Sequence, residues 1–135
     1  MGYLLDTNIV SAFLKRNLTL NQKFQEVVAQ EQEVFISCIS YYEIRRGLLA
    51  VNATRQMANF ELFLQLVHIL LLDDLDILEQ AAVIYADLKQ KGRPIQDADI
   101  FIAATAIAKG LILVSNDSDL SRVEGVDLEN WLLGE

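Results

Sequence analysis

The sequence predicts an α/β fold in which helices cover a central parallel sheet of four to five strands. Short apolar runs alternate along the chain with longer segments whose apolar residues recur at three- and four-residue steps. The apolar runs show little polar alternation, which is typical of strands buried on both faces of a parallel sheet. Parallel neighbours need crossover connections, and the helical segments are long enough to supply them.

Four apolar runs and one weaker run define the expected strands. In chain order they read Y-L-L, V-F-I-S-C-I, I-L-L-L and L-I-L-V, followed by the weaker V-D-L-E-N-W. The strands are therefore expected at 3–5, 34–39, 69–72, 111–114 and 126–131.

Helical periodicity fills the intervals between these runs. Gly92 and the only proline, Pro94, end the fifth helix, and Gly110 ends the sixth. The helices are expected at 9–16, 21–30, 40–50, 55–67, 77–91 and 97–109.

The fourth helix carries a continuous apolar stripe. Packing of the stripe against the sheet is the favoured interpretation. A groove for a partner's amphipathic helix, or a dimer face, remains the alternative. The stripe consists of Met57, Phe60, Phe63, Leu64 and Val67.

Length and composition indicate one globular domain over residues 1–135. The hydrophobic fraction is 53%, enough for a packed core. Cys38 is the only cysteine, so no internal disulfide forms, and it is expected to be a buried, inert thiol. The chain has neither an apolar run of roughly 18 residues nor a recognisable signal peptide, so a cytoplasmic protein without a membrane segment is expected.

The net charge limits the classes of partner. Eleven Lys and Arg against 19 Asp and Glu give −8, which argues against a broad nucleic-acid-binding face. Activity on nucleic acid would therefore need a local device, such as bound cations, to offset repulsion.

Four acids are expected at one edge of the sheet, beyond the carboxyl ends of the strands, where sites of this fold class form. Asp6 directly follows the first strand, and Asp117 follows the fourth by three residues. Glu43 is expected on the first turn of the helix after the second strand. Asp99 lies on the first turn of the helix that leads into the fourth strand.

Each acid also has a structural explanation. Asp6, Asp99 and Asp117 could cap helices, and Ser40 with Glu43 fits a capping box. Together, however, two carboxylates about 5 Å apart repel by roughly 3 kcal/mol at an effective dielectric of about 20, and four repel more. Such a cluster either raises pKa values or holds a cation, and all-oxygen ligands select Mg²⁺ or Mn²⁺.

At these residues the sequence resembles a known family. L-L-D-T-N, Y-E-I-R-R-G, D-I-F-I-A-A-T-A and L-V-S-N-D are similar to the four signature segments of PIN-domain ribonucleases. More narrowly, they resemble the VapC-type toxins of toxin–antitoxin pairs. The likeness covers nearly the whole chain, to N-W near residue 131, and implies a PIN-like three-layer α/β/α fold.

The resemblance also implies roles for individual residues. The catalytic, metal-binding quartet would be Asp6, Glu43, Asp99 and Asp117. The surrounding polar positions of the family are matched by Thr7, Asn8 and Ser115. Asp97 stands where many relatives have an acid; it would hold a second ion, orient a water or cap the helix, and these alternatives stay open. Asp119 is expected to be a solvated acid, and the lone His68 a structural or partly exposed residue.

The activity implied is Mg²⁺- or Mn²⁺-dependent hydrolysis of RNA phosphodiester bonds, with a cognate antitoxin as partner and a homodimer as assembly. Arg45 and Arg46, just after Glu43, are the candidate phosphate contacts. Other cations available to the substrate are Lys15, Arg16, Lys89, Lys91 and Arg93.

Two other enzyme and signalling classes fit the sequence poorly. A haloacid dehalogenase-type phosphotransferase needs an acid two positions after Asp6, where Asn8 stands, and the acid pair of a receiver domain should follow the first strand. The alternative that remains is a PIN fold serving as a binding or scaffolding module that binds metal and partner without cleaving RNA.

Overall fold

Five parallel strands form one sheet in the structure, a computed structural model that describes residues 2–132. Their order across the sheet is β3-β2-β1-β4-β5. The predicted α/β class with four to five strands is confirmed. The strands are β1 (Tyr3–Leu5), β2 (Val34–Ser37), β3 (His68–Leu70), β4 (Ile112–Val114) and β5 (Leu128–Glu129).

Helices cover both faces of this sheet. The first four pack into one apolar core, and the last two pack into a second core on the other face. The helices are α1 (Thr7–Leu14), α2 (Leu18–Ala29), α3 (Cys38–Ala50), α4 (Thr54–Leu64), α5 (Leu75–Gln90) and α6 (Asp97–Lys109), and a 3₁₀ turn spans Ser118–Arg122.

Strand alternation divides the apolar residues between the two cores. Leu4 packs with α5 and α6, whereas its neighbours Tyr3 and Leu5 pack with α1–α4. Leu113 and Val114 divide in the same way in β4. Because both faces are apolar, the strands read as continuous hydrophobic runs, and the arrangement is the expected three-layer α/β/α sandwich.

The chain changes direction across the sheet at β1. From β1 it proceeds outward through β2 to β3, and it then returns to the opposite side of β1 to form β4 and β5. The crevice between β1 and β4, at the carboxyl ends of the strands, is therefore the topological switch point where sites form in such sheets.

The second strand ends two residues earlier than predicted. Ser37 is the last residue of β2 and also the N-cap of α3, because its hydroxyl accepts a hydrogen bond from the Ile39 N–H at 3.0 Å. Cys38 therefore begins the helix and is only partly buried, so the prediction of a buried thiol was wrong. The strand was predicted to include Cys38 and Ile39 because both are apolar, and because the cap residue Ser37 lies inside the apolar run.

Other boundaries shift by one to three residues. Helix α1 begins at Thr7 rather than residue 9, since Asp6 caps it. The fourth helix ends at Leu64, and β3 begins at His68. The weak run at 126–131 contributes only the two residues Leu128–Glu129 to the sheet.

The apolar stripe of α4 packs mainly into the core, as favoured. Phe60, Phe63 and Val67 are buried, and Phe63 lies with its ring 4.9 Å from that of Phe13 on α1. Met57 packs against the same core. In the part of the chain that the structure describes, no helix has the length and apolar character needed to cross a membrane.

The backbone and packing of α3 do not require a glycine at position 47. Gly47 lies inside the helix, is exposed, and does not have a positive φ angle. A Cβ atom added there would meet nothing within 4 Å. Glycine inside a helix costs roughly 0.5–1 kcal/mol relative to alanine, so this position sacrifices stability without any gain in packing.

Gly47→Ala should therefore stabilise the protein. The expected increase in Tm is about 2–4 °C in a thermal melt followed by circular dichroism. As the matched control, Gly110→Ala should lower Tm, because Gly110 ends α6 with a φ of 66° that alanine adopts only with strain. A Gly47→Ala protein that melts below the wild type would contradict the open environment of this position.

Candidate active site

A cleft of about 590 Å³ lies beyond the carboxyl ends of β1, β2 and β4. It is lined mainly by carboxylates and small polar groups from several separate elements. All four acids of the predicted quartet reach it, although they are up to 111 positions apart in the sequence. The lining residues are Asp6, Thr7, Asn8, Glu43, Pro94, Ile95, Gln96, Asp99, Asp117 and Asp119.

Asp6 is the most buried of these acids. Its backbone N–H donates to the carbonyl of Val114 at 3.0 Å, which continues the β1–β4 pairing and fixes the residue at the switch point. Its carboxylate accepts a hydrogen bond from the Ile9 N–H at 2.9 Å and so caps α1. Burial raises the pKa of Asp6, and hydrogen bonds from Ser115 and Ile9 act against this effect. Capping and membership of the acidic site therefore coexist in one side chain.

Glu43 is held by a hydroxyl network rather than by a capping box. It lies on the second turn of α3, because Ser37 caps the helix, so both its predicted first-turn position and the Ser40 capping box were wrong. The Thr7 hydroxyl donates to Glu43 Oε1 at 2.7 Å and lies 2.9 Å from Ser40 Oγ. Since the Thr7 proton is used toward Glu43, Ser40 acts as the donor in the second bond. The network ties α1 to α3 and aims Glu43 into the cleft.

Asp117 caps the 3₁₀ turn that follows β4. Its carboxylate accepts from the Asp119 N–H at 2.9 Å, and its own N–H donates to Ser115 Oγ at 3.0 Å. Ser115 is buried between Asp117 and Asp6, and so it occupies the supporting position that the resemblance implied. The same turn brings Asp119 into the cleft.

Asp99 is the cleft acid whose pKa is raised most clearly by its surroundings. Its half-buried carboxyl lies on the first turn of α6, as predicted. Burial, followed by the charges of Asp117, Asp6 and Glu43, raises the pKa of Asp99 to about 6. Like charges crowded in a partly desolvated cleft disfavour one further ionisation.

Two of the remaining polar candidates differ in position. Asn8 is exposed on the first turn of α1 and lines the cleft. Asp97 is exposed at the first position of α6 and is not among the lining residues. The residue that precedes the helix is Gln96, so the interpretation of Asp97 as the helix cap was wrong. A role for Asp97 toward a second ion stays a prediction without support from the cleft geometry.

The two candidate phosphate contacts separate onto different faces of α3. Arg46 lies one turn from Glu43, with Nη2 3.9 Å from Glu43 Oε2, at the rim of the cleft. Arg45 bonds instead to Glu61 on α4, and its guanidinium carbon lies 5.3 Å and 5.1 Å from the ring centres of Tyr41 and Phe60. Arg45 therefore connects α3 to α4 and is not available at the cleft in this arrangement.

Asp119 was the weakest candidate from the sequence, and its partner Arg122 is a candidate that sequence reasoning missed. Asp119 was expected to be solvated, yet it lines the cleft and its charge contributes to the raised pKa of Asp99. Arg122, one turn later, lies 2.9 Å from Asp119 and adds a cation at this side. The spacing D-x-D in N-D-S-D was the available signal, since a tight turn places both carboxylates on one side.

His68 lies away from the cleft. It is an exposed residue at the edge strand, 3.8 Å from Glu33 and with its ring 5.4 Å from that of Phe35. The prediction of a structural or partly exposed residue is confirmed.

The acids approach one another without forming a ready coordination sphere. Within residues 2–132 no three His, Cys, Asp or Glu side chains already stand where they could hold one metal ion. Mutual repulsion of carboxylates favours rotamers that point apart, and a divalent cation would draw them together by removing that repulsion. The donor set, entirely carboxylate and neutral oxygen, suits a hard cation.

Comparison with known proteins identifies the family of this chain. The family model described as PIN domain matches residues 3–126, which includes all four acids of the quartet. The resemblance seen in the four signature segments is thereby confirmed.

Relatives match over almost their whole length. Ribonuclease VapC2 of Haemophilus influenzae is 34% identical over 98% of this chain and 99% of its own. Ribonuclease VapC2 of Rickettsia felis is 28% identical over 97% of this chain and 98% of its own. The crystal structure of VapBC2 from Rickettsia felis, bound to a DNA fragment from their promoter, contains a chain that superposes with a TM-score of 0.90 at 26% identity. That match covers 97% of this chain and 99% of the other.

The raised pKa of Asp99 predicts how stability depends on pH in metal-free protein. Because the folded-state pKa of about 6 exceeds the ordinary value of 3.8, stability falls as pH rises between these two values and stays reduced above them. Asp99→Asn removes the charge. Its advantage over the wild type in the free energy of unfolding should grow through this window to about 1–2 kcal/mol, allowing for the exposure of the group.

Urea unfolding in the presence of a chelator, at a series of pH values, measures this difference. Asp97→Asn is the matched control, because the exposed Asp97 lies on the same helical turn but outside the cleft lining. Its effect should be small and similar at every pH. An Asp99→Asn protein with no pH-dependent advantage would show that the cleft acids do not repel one another appreciably.

Proposed function

The chain belongs to the PIN domain family and, within it, to the VapC group, and we propose that it is a Mg²⁺- or Mn²⁺-dependent endoribonuclease, the cytoplasmic toxin component of a toxin–antitoxin pair. One observation carries the proposal: four acids from four separate elements converge in a single cleft. Burial, together with the charges of the other cleft acids, raises the pKa of Asp99 to about 6. A cleft that stores this repulsion is suited to a divalent cation.

The proposed cation ligands are the quartet. Asp6, Glu43, Asp99 and Asp117 all line the cleft, and Asp119 is a fifth acid at its edge. These residues would hold one or two such ions, which would supply an activated water and charge stabilisation at the phosphodiester.

The protein's own contribution is to hold these groups in place before substrate arrives. Asp6 is fixed by the Ile9 N–H, Asp117 by the Asp119 N–H, and Glu43 by the Thr7 hydroxyl. Such preorganisation lowers the reorganisation required at the moment of reaction. One of the cleft carboxylates accepts the proton of the attacking water, a role suited to a group with a raised pKa.

The acidic balance of the protein is compatible with an RNA substrate if cations act locally. Four of the −8 charges belong to the quartet itself, so the remainder of the chain carries −4. Arg46 lies 3.9 Å from Glu43 and Arg122 lies 2.9 Å from Asp119, so each is close to one acid of the cleft. These arginines are proposed to contact substrate phosphates, which position the strand without reading its sequence.

The proposed partner is an antitoxin, as in the toxin–antitoxin pairs of the VapC group. A groove of about 380 Å³ between α1–α2 and α4 offers a surface for it. Leu18, Leu62 and Leu66 line this groove, and each exposes more than half of its surface, an arrangement suited to the apolar face of a partner helix. The homodimer that the resemblance implies stays a prediction.

Asp6→Asn should abolish metal-dependent cleavage of RNA. The change keeps the cap of α1 but removes a ligand charge, and a loss of several kcal/mol of transition-state stabilisation corresponds to a rate reduction of about 10²–10³. The assay is cleavage of mixed cellular RNA with Mg²⁺ or Mn²⁺, with and without a chelator.

Asp127→Asn is the matched control. Asp127 is exposed just before β5, at the end of the sheet opposite the cleft, and its replacement should leave the rate unchanged. Equal cleavage by Asp6→Asn and wild type would point to a contaminating nuclease. Binding of Mn²⁺ without any cleavage would instead favour the binding or scaffolding module.

Leu62→Glu should prevent copurification with the protein encoded by the adjacent reading frame when the two are coexpressed. A charged side chain in the α1–α2/α4 groove opposes burial of the apolar face of a partner helix. Because Leu62 is 62% exposed, the substitution should leave folding and RNA cleavage intact. Leu75→Glu, on the opposite face of the sheet and 74% exposed, is the control that should copurify normally. Copurification of both variants would place the partner elsewhere.

A further inference from the structure

A second groove opens from the acidic cleft and runs between α1 and α3. Glu43 lines both, so the groove adjoins the cleft at this residue. The groove encloses about 220 Å³, which is less than the roughly 300–1,000 Å³ of pockets for drug-sized ligands. It is therefore the size of a small ring system. Its further lining includes Ser11, Leu14, Lys15, Ile44, Gly47, Leu48 and Gln56.

The groove depends on a glycine in the last turn of α3. Gly47 lies one helical turn beyond Glu43 on the same face, and a side chain there would project into the groove. Neither a close helix contact nor a positive φ angle requires glycine, since a Cβ atom at this position meets nothing within 4 Å. The absence of a side chain at Gly47 lowers the stability of the helix and leaves the groove beside Glu43 open.

The chemistry of the groove suits a flat, amphipathic ring. Leu14, Ile44 and Leu48 are buried side chains that form an apolar floor. Ser11 and Gln56 add hydrogen-bonding groups at its sides. Bases that leave the stack are held in pockets by contact of their faces with apolar side chains and by hydrogen bonds to their edges.

A cation lies at the mouth of the groove. Lys15 is exposed in the last turn region of α1, and it forms no salt bridge with any acid of residues 2–132. A nucleobase seated between α1 and α3 would bring its backbone phosphate toward this uncompensated charge.

We propose that the α1–α3 groove is a nucleobase subsite, which takes the base of a nucleotide adjacent to the scissile phosphate while Lys15 contacts the phosphate of that nucleotide. The inference rests on the proposed ribonuclease function and extends it from the cleaved bond to the flanking nucleotide. A polypeptide segment of a partner protein is the competing occupant, and the test separates the two.

The test fills the groove without disturbing the acids. Gly47→Met places a side chain across it, and Gly47→Ala is the matched control that stabilises the helix while leaving most of the space. With a short fluorescent oligoribonucleotide that the wild type cleaves, Gly47→Met should raise KM about tenfold, the scale of losing one buried apolar contact. Binding of Mn²⁺ and Tm should not fall. Gly47→Ala should remain within about twofold of the wild type.

Removal of a base identifies the occupant. Once the wild-type cleavage position is mapped, abasic versions of the oligonucleotide are made on each side of it. At one of these positions the abasic substrate should be cleaved equally by wild type and Gly47→Met, because it has no base for the filled groove to exclude. A penalty that is the same for every substrate, or no penalty at all, would overturn the proposal and favour a polypeptide occupant.

Lys15→Gln provides an independent readout if Gly47→Met fails to fold. Loss of one phosphate contact should reduce the salt slope of RNA binding by about 0.7, the value per contact on a single strand. Lys109→Gln, at the end of α6 remote from the cleft and paired with Asp74, should leave the slope unchanged. An unchanged slope for Lys15→Gln overturns the proposal. A wild type that neither binds nor cleaves RNA would instead refute the proposed function on which it rests.

Discussion

Repulsion among carboxylates at one edge of the sheet is the constraint on which the rest of the structure depends. Three of the four quartet acids are anchored by donors from their own neighbourhood: Asp6 by the Ile9 N–H, Glu43 by Thr7, and Asp117 by the Asp119 N–H. Asp99 lacks such an anchor in the described structure and bears the largest resolved shift, with its pKa raised to about 6. The protein is thus organised to concentrate negative charge rather than to disperse it.

The sheet topology makes this concentration possible. Because β1 lies between β2 and β4, the residues that follow three neighbouring strands meet at one rim. Helix α6 runs back against the strands and delivers Asp99 to the same rim from the second layer. The two apolar cores on either side of the sheet hold these elements in position, and this support offsets the repulsion.

The same rim extends the site beyond the quartet. Glu43 faces the acidic cleft on one side and the α1–α3 groove on the other, and Gly47 keeps that groove open. Arg46 and Arg122 lie at separate edges, so an overall acidic protein presents cations where a phosphate backbone would pass. Local charge, rather than net charge, then determines which partner is compatible with the surface.

By itself the sequence determined the α/β class, the buried central strands β1, β2 and β4, and the four acids of the cleft, because periodicity and strand-end position are local properties. The exposure of β3 at the sheet edge was not visible in its apolar letters. It could not locate the end of β2, since the Ser37 cap lies inside an apolar run. Only the tertiary structure decided that Arg45 turns toward Glu61, that Asp119 enters the cleft, and that Asp97 remains outside its lining. These outcomes depend on contacts between side chains of different helices and turns. Local sequence patterns carry no information about such contacts, because the residues are far apart in the chain.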